Sequence, residues 1–165
     1  MKHSIRWLVL AMVTLILATA CRDAPERDSL AGAWRSQIRF RGGTLAEWKN
    51  LEFMYVFNAG GTMTESSNYD AAPPGPPAYG AWRKTGPRQF EARYHFFATQ
   101  PPGPSDELAK VGWLPAGHGV LTERIVLSDD GKSFKSAITY TGFDPAGKPV
   151  DGAGEGTGTG ARIDF

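Results

Sequence analysis

From Trp34 onward, apolar and polar side chains alternate at every second position, and few folds accommodate that pattern. Residues two apart lie on the same side of a β-strand, so alternation marks a strand with one buried and one wetted face. Trp34, Ser36, Ile38 and Phe40 alternate with Arg35, Gln37, Arg39 and Arg41. The same period places strands over 34–41, 51–57, 62–67, 79–85, 88–97, 120–127, 133–141 and 150–163. Asn58-Ala59-Gly60-Gly61, Gly86-Pro87 and Ser128-Asp129-Asp130-Gly131 are tight turns between them. A helical turn or two is predicted to begin at Ser105, a good N-cap followed by Asp106 and Glu107.

Eight strands joined in succession form an antiparallel meander, and closing it into a barrel removes its aggregation-prone edges. The tail supports closure: Gly152, Gly154, Gly156, Gly158 and Gly160 fall at every second residue. On one strand face they make a stripe without side chains, which permits sharp coiling and close approach of neighbours. No helical pattern follows them, so a phosphate-cradling dinucleotide loop is disfavoured. The expectation is an all-β, eight-stranded antiparallel up-and-down barrel. In a meander, alternate connections emerge at the same end. The long ones (42–50, 68–78 and 98–117) would then share one rim and form an elaborated mouth above a closed bottom. The prolines between Ala71 and Pro77 would stiffen one of these loops, or offer a polyproline ligand.

Composition agrees with a single sheet-built domain. The 165 residues include 20 Gly, 12 Pro, nine Phe, five Tyr and five Trp, which suits a turn-rich sheet better than a helical bundle. Lys and Arg total 18 against 17 Asp and Glu, so no charge bias points to nucleic acid.

Gly32-Ala33-Trp34 opening the first strand, with Arg162 near the end of the last, resembles the G-x-W and terminal Arg of lipocalin-like (calycin) barrels. The resemblance runs in outline from Leu30 to Arg162. It implies that Trp34 closes the bottom and that Arg162 packs across it through a cation–π contact. Gly156-Thr157-Gly158-Thr159-Gly160-Ala161-Arg162 also resembles the corresponding stretch of small bacterial exported proteins of this type.

The N-terminus reads as an export signal, residues 1–20. Lys2 and Arg6 precede the apolar run Trp7–Ala20, which is shorter than the roughly 20 residues a spanning helix needs. Ala18-Thr19-Ala20 fits an ordinary cleavage site. Leu17-Ala18-Thr19-Ala20-Cys21 also resembles a lipobox, which would make Cys21, the chain's one cysteine, the lipidated first residue. Residues 21–29 would then be a polar tether and 30–165 the barrel. A lipoprotein facing the periplasm or the cell surface is expected, held at a membrane by its lipid; a plainly secreted product is the alternative.

Candidates for chemistry are few. His95 and His118 are the only histidines after the leader, with no second cysteine or zinc-ligand spacing, so no metal or other cofactor is expected. His95 falls on an outward face, and His118, between Gly117 and Gly119, should sit at the mouth. Glu123 shares a face with Leu121, Ile125 and Leu127. If that face is inward, a carboxyl sits in an apolar cavity, where burial suits it to proton transfer. If Val120, Thr122 and Val126 face inward instead, it is in solvent; inside but ion-paired to an arginine is the third arrangement. Tyr55, Tyr94 and Tyr140 offer hydroxyls inside an aromatic lining, or pack as ordinary core. The residues expected to meet a ligand are therefore Tyr55, Tyr94, Glu123, Tyr140 and His118. The favoured function is binding of a small apolar or amphipathic molecule. The alternatives are an enzyme (cyclase, isomerase or hydratase) using Glu123 and a tyrosine, and an envelope interaction protein with a filled core.

Overall fold

The computed structural model describes residues 28–70, 77–103, 108 and 110–164. The leader, Cys21, the first part of the tether, most of the proline-rich segment and the helix start at Ser105 lie outside the described residues. Eight strands follow one another: β1 (Gly32–Phe40), β2 (Leu51–Phe57), β3 (Thr62–Ser67), β4 (Ala78–Gly86), β5 (Gln89–Gln100), β6 (Leu114–Leu127), β7 (Ser133–Phe143) and β8 (Gly154–Arg162). Each pairs antiparallel with the next, and β1 also pairs with β8 over Trp34↔Arg162 to Phe40↔Gly156. The sheet is thus a closed, eight-stranded, up-and-down barrel of lipocalin-like plan.

Two strands begin four or more residues away from the expected position. β6 begins at Leu114 rather than residue 120, because β5 runs on to Gln100 and its edge pairs residues as early as Leu114 and Pro115. His118 is therefore on a strand and not in a loop. β8 begins at Gly154 because Gly152 (φ +105°) turns the chain, and its carbonyl accepts from Thr44 N.

The alternation has the expected consequence. Trp34, Ser36, Ile38 and Phe40 are buried, as are Leu51, Phe53, Tyr55 and Phe57. Gly156, Gly158 and Gly160 face inward, and the β7 and β1 side chains occupy the space their missing Cβ atoms leave. A Cβ at Gly160 would strike the Phe134 ring, and one at Gly158 would strike Ser136 Oγ.

The bottom is plugged from one side chain outward. Trp34 is fully buried and donates its indole N–H to Leu30 O at 2.9 Å. The Arg162 guanidinium lies 4.3 Å above the indole ring. It also donates to Ala31 O (2.7 Å), Ser29 O (2.9 Å) and Gly131 O (3.2 Å). A cation–π contact of this kind contributes about 0.5–2 kcal/mol, and the three carbonyl bonds tie both ends of the barrel wall to the plug. Above it, Phe57, Met63, Phe90 and Phe134 fill the lower barrel. The upper rim carries the long connections, among them a 3-10 turn at Thr44–Glu47 that sends Leu45 inward.

Candidate functional site

Above the packed lower half lies a cavity of about 350 Å³ at the mouth, near the lower end of the roughly 300–1,000 Å³ typical of ligand pockets. Its wall takes Phe53 from β2, Glu65 from β3, Ala78 from β4, Phe96 from β5, Leu121 from β6 and Tyr140 from β7. Leu45 reaches in from the 3-10 turn, while Trp48 and Tyr69 stack at the rim with ring centroids 4.7 Å apart.

Glu65 is the buried polar residue of this largely apolar wall. Met63 and Glu65 share the inward face of β3, and the carboxyl is only 5% exposed. Its Oε1 has no hydrogen-bond partner. Burial, then the negative charges of Asp70 and Glu123, hold its pKa well above the ordinary carboxylate value. Asp70 is fixed at the rim: Ser67 donates to it from both its backbone N–H and its hydroxyl, each at 2.7 Å.

Beneath the cavity lies a second polar group. Glu123 faces inward and is fully buried. Its Oε2 accepts from the hydroxyls of Tyr55 and Tyr94, each at 3.1 Å. Oε1 has no partner in hydrogen-bond geometry, and neither do Ser36 Oγ and Ser136 Oγ. Desolvation raises the Glu123 pKa; the nearby Ser136 hydroxyl and the two tyrosine hydroxyls oppose that rise without cancelling it. Burial also pushes both tyrosines well above their usual value, Glu123 adding to it, which keeps them protonated and donating.

The structure thus redistributes the residues expected from sequence. Tyr140 lines the cavity and stacks on Phe96 at 6.1 Å. Tyr55, Tyr94 and Glu123 come together in the interior but are not among the residues that line the cavity; the next inward positions toward the mouth on their strands, Phe53, Phe96 and Leu121, line it instead. Among the described residues no arginine pairs with Glu123; its partners are neutral hydroxyls. His118 requires a correction. It has the parity of Val120 and lies outside the barrel, stacked 4.8 Å from Phe143 and 6.0 Å from His95. The inward parity there belongs to Gly119, where a Cβ would collide with the Phe96 ring. His95 is outward, as expected; desolvation, Arg93 and His118 lower its pKa. Glu65 was missed from sequence, although Met63 two residues earlier signals which face of that strand turns inward.

A larger concavity of about 680 Å³ opens on the outer wall where β1 runs past its last pairing with β2, Ile38↔Leu51. Exposed Gln37, Arg39, Arg41, Lys49, Thr157 and Thr159 line much of it. Among the described residues no three His, Cys, Asp or Glu side chains converge as a metal site would require.

No family model and no curated protein matches the sequence. Among solved structures the chain is similar to an S-type phycobiliprotein lyase from Guillardia theta, at 13% identity and a TM-score of 0.41. The match covers 85% of this chain and 90% of that one. The strand order and registers themselves define the closed eight-stranded up-and-down barrel.

Proposed function

We propose that this protein is a carrier that takes a small apolar or amphipathic molecule into the mouth of its barrel. The observation that carries this reading is the 350 Å³ cavity, walled by Phe53, Phe96, Leu121 and Tyr140, with Glu65 as its buried polar group. An apolar concavity with few convergent polar groups is what small-molecule sites share. Glu123 could serve as an acid or base only for a substrate that passes Leu121, so the enzyme reading has weaker support.

The same proposal includes export. The leader and Cys21 would deliver the carrier to a membrane surface as a lipoprotein facing the periplasm or the cell surface, the lipid attached at the plugged end. Labelling cells with an alkyne fatty acid should mark the native protein, and C21S should abolish the label; a labelled C21S would overturn the anchor.

The binding reading is tested with an apolar fluorescent probe and the variant Ala78→Phe, which places a ring in the cavity. Probe binding should be saturable at one site and weakened at least about tenfold in the variant, given equal near-UV circular dichroism. Undiminished binding would remove the mouth cavity as the site.

A further inference from the structure

The charge inventory of the mouth is one-sided. Among the described residues that line the cavity there are two acids, Glu65 and Asp70, and no Lys, Arg or His. Lys49, the cation nearest in sequence to the rim residue Trp48, lines the outer groove instead. The two acids differ in kind. Asp70 is satisfied on both oxygens by Ser67. Glu65 is 95% buried yet leaves Oε1 without a donor in the cavity wall. A buried carboxyl left short of a donor is destabilising, and a ligand that brings a donor to it offsets that loss. Around this acceptor stand Phe53, Phe96 and Tyr140, with the Trp48–Tyr69 stack above. Aromatic faces carry negative potential and attract cations.

Resting on the carrier reading, we infer that the molecule held in the mouth is a lipophilic amine: an apolar body carrying one cationic nitrogen that hydrogen-bonds the Glu65 carboxyl in the negative field of Asp70. A fatty-acid headgroup would face two carboxyls with no cation to meet it. A neutral alcohol would supply the donor but gain nothing from the charge.

Docking of an ammonium ion favours the ionised form of Glu65. Where Glu65 is protonated before binding, it releases that proton to the buffer as the ion pair forms. The groups around it (Asp70 at the rim, Glu123 below, and the hydroxyls of Tyr55 and Tyr94) are acidic or neutral, so none of them supplies the missing positive charge.

The experiment is calorimetric titration of the full mature chain with octylammonium, octan-1-ol and octanoate, in two buffers of different ionisation enthalpy. Octylammonium should bind at least about tenfold tighter than octan-1-ol, the scale of one charge-assisted hydrogen bond. Octanoate should bind weakest, and only the amine should release protons. In E65Q the amine-to-alcohol ratio should fall toward one. Equal or tighter octanoate binding, or a ratio unchanged in E65Q, would overturn the amine assignment while leaving the carrier reading standing. If none of the three binds and the apolar probe also fails to bind, the carrier reading falls and the amine assignment with it. The comparison of the three probes on the unaltered protein decides the question even if E65Q fails to fold.

Discussion

At the scale of single residues, the most consequential feature is that two carboxyls are buried with no cation beside them among the described residues. Glu65 and Glu123 both have pKa values raised above that of the unfolded chain, mainly by desolvation. The folded state therefore holds more protons than the unfolded state once pH exceeds about 4.5, and stability falls as pH rises through the raised values. E65Q removes one such group. Its urea midpoint should exceed that of the native protein at pH 8 and nearly coincide with it at pH 4; a lower midpoint at pH 8 would contradict the burial argument. Y55F and Y94F should each cost about 1–3 kcal/mol, since each strips a donor from the buried Glu123 carboxyl. Urea unfolding at pH 7 checks this. R162K should also destabilise, by about 1–3 kcal/mol, because a lysine replaces neither the planar face over Trp34 nor the fork that reaches three carbonyls. These residues differ in how plainly the sequence announced them. Trp34 and Arg162 carried their own motif. Glu123 sat on an apolar face, but whether that face turned inward depended on closure, which no local pattern reveals. Glu65 sat in a short polar strand, Thr62–Ser67, where one methionine was the only sign of which way the strand faced.

At the scale of elements, the β8 glycines do the most to set the barrel's shape. Gly156, Gly158 and Gly160 give their inner volume to Phe40, Ile38, Ser136 and Phe134. Replacing Gly160 with Val should cost about 1–3 kcal/mol or more through overpacking against Phe134, lowering the thermal midpoint by several degrees. A change at exposed Thr159 on the same strand should be nearly silent. Period-two alternation exposed six of the eight strands to within three residues at each end. β6 ran longer than expected because Pro115, Gly117 and His118 carry no alternating signal; they are held by pairing to the β5 edge. That extension also took His118 out of the mouth, where a flexible glycine-flanked loop would have put it.

At the scale of the whole molecule, the first and last strands complete each other. Without β8, Trp34 loses both Arg162 and the wall behind it, and the edges of β1 and β7 are left open. A chain ending at residue 153 should lack native near-UV circular dichroism and should self-associate; a monomeric, native-like truncated chain would contradict closure as the source of stability. The division of the interior follows from the same topology. Tight turns and the Trp34 plug seal one end, and the long connections keep the other open, so the cavity lies above the aromatic floor. The most direct test of a mouth-seated ligand is a map of backbone and methyl chemical shifts on titration with octylammonium. The account predicts saturable shifts at Glu65, Ala78, Phe96 and Leu121, with Met63, Phe90 and Phe134 at the bottom unmoved. Shifts concentrated instead at Gln37–Arg41 and Thr157–Thr159 on the outer wall would contradict it.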